Sequence, residues 1–201
     1  WSAPKAGDNV QAPGSAARTW TAVTLHEDGT LEHPALNGGY AFVAIDSIEE
    51  RVMLLQASGH AMVYVNGEPR AGDPYSNGYV RLPVLLSAGS NCLLFHCPRG
   101  RLNVKLLAPP GPVTLHTGDL TLPDLLRDAD KAVWGAVVVI NASKEAARGL
   151  SIAASVENGA EVVTEVPPLP PLSVRKAAFR IAGPVEAAKD SARVRLRLLD
   201  G

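Results

Sequence analysis

The stretch HAMVYVNGEPRAGDPYSNGYVRLPVLLSAGSNCLLFHCPRGRLNVKL, residues 60–106, decides the fold. Apolar, β-branched and aromatic residues (Val63, Tyr64 and Val65; Tyr79 and Val80; Leu93, Leu94 and Phe95) are interrupted by Asn-Gly, Asp-Pro and Gly-Ser breaks, the pattern of short strands joined by turns. Asn66-Gly67 and Asn77-Gly78 are the strongest turn signals. An Asn-Gly pair can take positive φ at both central positions, which matches the twist of the two strands it joins.

The same rhythm extends on both sides. GYAFVAI (39–45), VMLLQ (52–56), AMVYV (61–65), GYVRL (78–82) and NCLLFHC (91–97) recur at roughly ten-residue intervals, the spacing of an all-β sandwich. Leu102, Val104 and Leu106 alternate with Asn103 and Lys105, a strand with one dry side. Upstream, alternation predicts a first strand over Thr19 to His26, with Asp28-Gly29 turning the chain into Thr30 and Leu31. Residues 1–17 are rich in Ala, Gly, Pro and Ser without periodicity and read as a lead-in arm.

Pro109-Pro110-Gly111-Pro112 lacks three backbone donors, so it reads as a stiff linker between domains at 18–108 and 113–201. The second half has strands of its own at 134–141, 150–156, 161–166, 174–181 and 192–199. LPDLLRDADKA, just before Trp134, is the one place that suits a helical turn. The expected fold class is therefore all-β with two β-sandwiches.

Composition excludes several functions. The chain of 201 residues has a formal charge of −1, with 8 basic and 9 acidic residues up to position 110 and 11 of each after it. No basic surplus remains to attract phosphates, so nucleic acid is not an expected partner. No apolar run approaches the ~20 residues needed to span a bilayer as a helix. Cys92 and Cys97 lie five residues apart in one strand, which separates their Cα atoms by ~16 Å at the rise of an extended chain. A disulfide needs less than ~7 Å, so two free thiols are expected. The chain starts at Trp1, which a cleaved signal peptide would explain.

The order VYVNG (63–67), GDPY (72–75), LPVLLSAGSN (82–91) and LLFHC (93–97) resembles the galactose-binding-like jelly roll of accessory modules in bacterial glycoside hydrolases. The residues that carry this resemblance are Val63, Tyr64, Val65, Asn66 and Gly67, then Leu86, Gly89, Asn91 and Leu93. The second half resembles the immunoglobulin-like modules of the CARDB type through Asn141, the proline cluster 167–171 and the strand spacing. Together the resemblances imply an N-terminal jelly roll and a C-terminal immunoglobulin-like spacer. They also imply a secreted, periplasmic or cell-surface location, and a carbohydrate or a catalytic domain of the same parent chain as partner.

Candidate chemistry concentrates in RAGDPYSNGYVR, residues 70–81, where Asp73, Tyr75, Asn77, Tyr79 and Arg81 form the expected ligand-binding set. A sugar wants a flat aromatic under its apolar face and planar polar groups at its hydroxyls, and the loop has both. The opposing reading has the tyrosines capping the sandwich while Asp73 and Asn77 close turns through their own backbone. No cofactor is expected; a structural calcium at Asp73 would have a single carboxylate, too few to argue for it. His26, Glu27, Glu32 and His33 cluster around a turn without the i, i+4 helical spacing of a zinc site.

No catalytic residues are expected: GxSxG is absent, and His96 and Cys97, adjacent on a strand, point to opposite faces. PPLPPL (167–172) reads as a crossing at the end of a sandwich, Arg193, Arg195 and Arg197 as a solvated strand face, and Asn141-Ala142-Ser143 as a formal glycosylation sequon. The leading expectation is a non-catalytic accessory region of a hydrolase. Its rivals are a structural or adhesion protein making only protein contacts, and an esterase or glycosidase with a site between the domains.

Overall fold

The computed structural model describes residues 3–11, 13–125, 132–157, 159–182 and 191–201, and their regular structure is almost entirely antiparallel β. The chain divides into two compact units, Trp1–Ala108 and Pro109–Gly201. The strands of the first are β1 (Asn9–Val10), β2 (Arg18–Thr19), β3 (Thr30–Glu32), β4 (Gly39–Ser47), β5 (Arg51–Ser58), β6 (Met62–Val65), β7 (Glu68–Ala71), β8 (Arg81–Leu86), β9 (Gly89–Cys97) and β10 (Arg101–Leu107). They form two four-stranded sheets, β3-β10-β5-β8 and β4-β9-β6-β7, and a two-stranded β1-β2 hairpin in the arm. A 3-10 turn, Pro34–Leu36, precedes β4.

The two larger sheets pack face to face because each strand alternates. Leu93, Phe95 and Cys97 of β9 point inward, with Val63 and Val65 of β6 and Ala41 of β4. They meet Leu55, Ala57, Leu82, Val84, Leu86, Leu102 and Val104 from the other sheet. Burying each of the large side chains in this layer is worth about 1.5–3 kcal/mol.

Asn66 and Gly67 have φ of 50° and 91° and join β6 to β7 in a two-residue loop, the positive-φ pair that a right-twisted hairpin selects. The Asn66 amide donates to Asn91 Oδ1 at 2.8 Å, and Asn66 Oδ1 accepts the Cys92 N–H at 2.8 Å. Asn91 is buried and also spans the β8–β9 turn, accepting the Ser87 N–H and donating to the carbonyls of Ser87 and Gly89. The residues that carry the sequence resemblance thus bond to one another across two turns.

Several elements differ from the sequence reading. Of the expected strand at 19–26 only Thr19 lies in a strand, β2, where it is registered with Asn9, and Trp20 then exchanges backbone bonds with Gly7 and Asp8. The strand expected at 78–82 begins at Arg81 and runs through Pro83 to Leu86. Proline is tolerated there because β8 is an edge strand, and Pro69 likewise lies in the edge strand β7, which alternation had not revealed. Asn77-Gly78 joins no hairpin; the positive φ values fall on Ser76 and Gly78.

The second unit contains β11 (Val113–Thr121), β12 (Val133–Asn141), β13 (Leu150–Val156), β14 (Val162–Glu165), β15 (Ser173–Ile181) and β16 (Val194–Asp200). Sheets β11-β12-β15 and β14-β13-β16 enclose Val137, Val139, Leu150, Ile152, Ala154, Phe179 and Ile181. β11 was not expected, because Gly118-Asp119 interrupts its pattern; the register shifts between His116 and Thr121, a bulge over the His116 ring. The helical turn expected before Trp134 is absent at Leu122–Leu125, and residues 126–131 of that segment lie outside the described residues.

The central strands are buried on both faces: Val137 through Asn141 of β12, and Ile152 through Val156 of β13. On β13 the outer face carries small residues, Ala153 and Ser155. Arg197 of β16 reaches Glu161, on the β14 side, with Nη2–Oε1 at 2.7 Å and Nε–Oε2 at 3.2 Å. Ala153 is registered with Arg197 on one side and Val163 on the other, so the ion pair spans the central strand. Asn141 has no exposed surface, and its amide donates to the carbonyls of Glu145 and Pro170 while Oδ1 accepts from Ser143. In the folded chain it is closed to glycosylation.

Gly135 packs under Phe179, and a Cβ there would lie 2.4 Å from Phe179 Cζ and 2.9 Å from the Thr121 carbonyl oxygen. Gly135→Ala is expected to destabilise the second unit by about 2–3 kcal/mol in urea unfolding, as overpacking does. Phe179→Leu in the Gly135→Ala background should cost less than in the wild type. Additive losses would show that the ring is not the obstacle.

Candidate functional site

The loop at residues 72–80, between β7 and β8, is built on Asp73. This side chain is 4% exposed, so it does not face a ligand. Oδ1 accepts the Asn77 N–H at 3.1 Å and Oδ2 the Gly78 N–H at 2.7 Å, while the Asp73 carbonyl accepts from Gly59 at 2.8 Å and from Ser76 at 3.2 Å. Gly72 permits this seat: a Cβ there would lie 2.3 Å from the His60 carbonyl oxygen. The carboxylate is spent on shaping the loop, which is the Asx-type chemistry that competes with ligand binding for aspartate oxygens.

The other sequence-predicted residues divide. Tyr75 is 70% and Tyr79 48% exposed, and Asn77 is also exposed. Arg81 is half-buried and donates from Nε to Gln56 Oε1 at 3.0 Å, so it serves the β5–β8 edge. Arg99, in the β9–β10 turn, was not predicted; its guanidinium carbon stands 5.0 Å from the centroid of the Tyr75 ring, a cation–π contact. Its distance of more than twenty residues along the chain hid it from sequence reading.

Behind the loop, His60 is completely buried and meets Phe95 edge-on at 5.3 Å. Neither ring nitrogen has a hydrogen-bond partner among the described residues. Burial pushes its pKa down from 6.5 to about 4, against the opposing pull of the Asp73 charge. It is a neutral core side chain at pH 7.

The remaining constellations are structural. Glu32 pairs with Arg101 at 3.0 Å, His33 Nδ1 accepts the Ala35 N–H at the start of the 3-10 turn, and Asp28 Oδ1 accepts the Thr30 N–H. Among the described residues no group of three or more His, Cys, Asp or Glu side chains is placed to hold a metal. Both cysteines are free thiols, and burial pushes Cys97 up to about 11, which keeps it protonated and inert. His96 lies on the opposite face, its ring 5.0 Å from that of Tyr40. The proline run is pinned by Leu169, which pairs with Ala147 through backbone bonds of 2.9 and 3.0 Å. No helix among the described residues is long and apolar enough to cross a membrane.

One feature had no sequence signal. The N-terminal segment folds back toward the start of β4 and borders an open cleft of about 1010 Å³, lined by Trp20 and Val23 and by Tyr40, Phe42 and Leu94 from the sheet. Arg18 closes one side, donating from Nη1 to the carbonyls of Asn37 (3.4 Å) and Gly38 (3.2 Å).

No family model matches the chain, and no curated protein matches it in sequence. Among solved structures, it is similar to a GH2 β-galacturonidase from Eisenbergiella tayi, with 16% identity over 94% of this chain and 38% of that one, at a TM-score of 0.45. Amycolatopsis orientalis exo-chitosanase matches with 18% identity over 80% of this chain and 21% of its own, at 0.33. Bacteroides uniformis β-glucuronidase 2 matches with 13% identity over 86% and 24%, at 0.39. The chain thus spans well under half the length of these glycosidases.

Proposed function

We propose that this chain is a non-catalytic accessory region of a larger extracytoplasmic bacterial hydrolase. The first sandwich, residues 18–108, binds or positions carbohydrate as a galactose-binding-like jelly roll. The second, residues 113–201, is an immunoglobulin-like spacer. The observation that carries the reading is the loop at 72–80: Tyr75 is 70% exposed, held from one side by Arg99 at 5.0 Å, and Tyr79 and Asn77 stand beside it in sequence. A broad aromatic face left in water on a loop clamped by a buried carboxylate is a prepared surface. Its ordering entropy has already been met when a ligand arrives.

The test is a glycan array followed by titration calorimetry on the full chain. Saturable binding to a saccharide is expected, and Tyr75→Ala should weaken it about tenfold, the equivalent of one stacking contact. A chain that binds no glycan, or binds equally well without Tyr75, would sink the proposal. It would favour the rival in which both sandwiches make only protein contacts, for which exposed Tyr and Arg are equally suited. The third reading, an esterase or glycosidase, is checked by assaying the chain on chromogenic esters and glycosides, where no turnover is expected.

A further inference from the structure

We propose that the cleft under the arm and the Tyr75–Arg99 pair form one continuous track that holds an acidic oligosaccharide, several sugar units long. The inference rests on the reading of the first sandwich as a carbohydrate-binding module and names its ligand class. Continuity comes from the β9–β10 turn. Arg99 stands over Tyr75, and the next residue, Gly100, packs on Asn37, where a Cβ would lie 3.7 Å from the Asn37 Cβ. The Gly100 carbonyl accepts the His33 N–H at 3.4 Å. His33 and Asn37 both line the cleft, so the turn that carries Arg99 also touches the cleft lining.

The lining sets the chemistry. Trp20, Tyr40 and Phe42 bring three aromatic rings to the cleft, and Tyr40 is 48% exposed with its ring set against His96. Such rings suit the apolar faces of successive pyranoses. The charged lining residues are Lys5 and Arg18, and among the described residues no Asp or Glu lines the cleft. Asp8, the arm's own carboxylate, accepts the Lys5 backbone N–H at 2.8 Å, and Asp73 at the far end is buried in its loop. With Arg99 at the loop and Lys5 and Arg18 at the cleft, both halves of the track carry cations, in a chain whose net charge is −1. That local excess selects for carboxylates spaced along a polymer rather than for a neutral sugar. The cleft is as large as the roomier small-molecule sites, more than one monosaccharide fills.

Calorimetry on the full chain with tetrameric oligogalacturonate, its methyl ester and a neutral galactose tetramer tests this. The acid should bind, and the methyl ester and the neutral tetramer about fivefold or more weakly, with the difference shrinking at high salt. Tyr40→Ala in the cleft and Tyr75→Ala at the loop should each weaken the acidic tetramer about tenfold. Lys5→Glu should weaken it without affecting the neutral one, and circular dichroism should show all three variants folded.

Binding that needs Tyr75 but ignores Tyr40 overturns the track and leaves the loop reading standing. Equal affinity for acid and ester overturns the ligand class alone. A glycan bound equally well by both tyrosine variants, or a cleft that takes extended peptides and no saccharide, overturns both readings.

Discussion

Asn91→Ala is expected to cost the first unit about 3 kcal/mol, as one buried side chain that makes four hydrogen bonds is removed. Asn91 is 2% exposed and satisfies the Ser87 N–H at 2.8 Å, the Ser87 carbonyl at 2.9 Å, the Gly89 carbonyl at 3.1 Å and the Asn66 amide at 2.8 Å. Alanine removes these bonds and leaves the exposed Ser87, Gly89 and Asn66 groups to water. The β8–β9 turn and the β6–β7 hairpin should loosen together, because Asn66 ties one to the other. Asn66→Ala adds a separate penalty, since φ of 50° suits asparagine better than alanine.

A double-mutant cycle in urea separates these effects. The two asparagines should couple by at least about 1 kcal/mol, so the pair of changes costs less than the sum. A loss below about 1 kcal/mol for Asn91→Ala would mean the turns hold without it.

Acid should weaken the same unit through His60. Its folded pKa is about 4 and its ordinary value 6.5. Between those values the unfolded chain holds a proton that the folded chain refuses, so stability rises with pH across this window. The contribution is fully present above pH 6.5, falls as the pH drops toward 4, and reaches a loss of about 3 kcal/mol below it. Urea midpoints at pH 7 and pH 4 measure the difference.

His60→Leu should remove most of this acid sensitivity. It should hold or raise stability at pH 7, because it deletes two buried nitrogens that have no partner among the described residues. An unchanged pH dependence in that variant would place the acid-labile group elsewhere.

The fold was legible where a local pattern and its tertiary partner agree. Asn66-Gly67 follows the alternating run Met62–Val65 and takes the positive-φ pair a two-residue hairpin needs, so the turn and the strand before it specify the same hairpin. Asn77-Gly78 has the same letters but lacks that agreement: Asp73 captures both backbone N–H groups, and the loop closes on its own carboxylate. Glu68–Ala71 escaped because an edge strand tolerates proline and charge, and Val113–Thr121 because a bulge breaks the alternation.

The site was legible only in residue type. Sequence assembled Asp73, Tyr75, Asn77, Tyr79 and Arg81 by proximity, yet direction is set by burial, which sends Asp73 inward and leaves the tyrosines out. Arg99 and the arm cleft depend on contacts between distant segments. No periodicity records such contacts.

The pairing of β3 with β10 sets an order of events during synthesis. Leu31 is registered with Leu102, and Gly39 with Cys97, so the outer strands of both sheets wait for partners about sixty to seventy residues downstream. The β6–β7 hairpin closes over two residues and can form as soon as it clears the ribosome. Residues 30–47 therefore emerge first and dock last, and until β9 and β10 arrive the nascent chain carries an unpaired nine-residue strand, GYAFVAIDS, with its apolar face open. Aggregation between nascent chains is most favoured in that interval, before residue 107 is made.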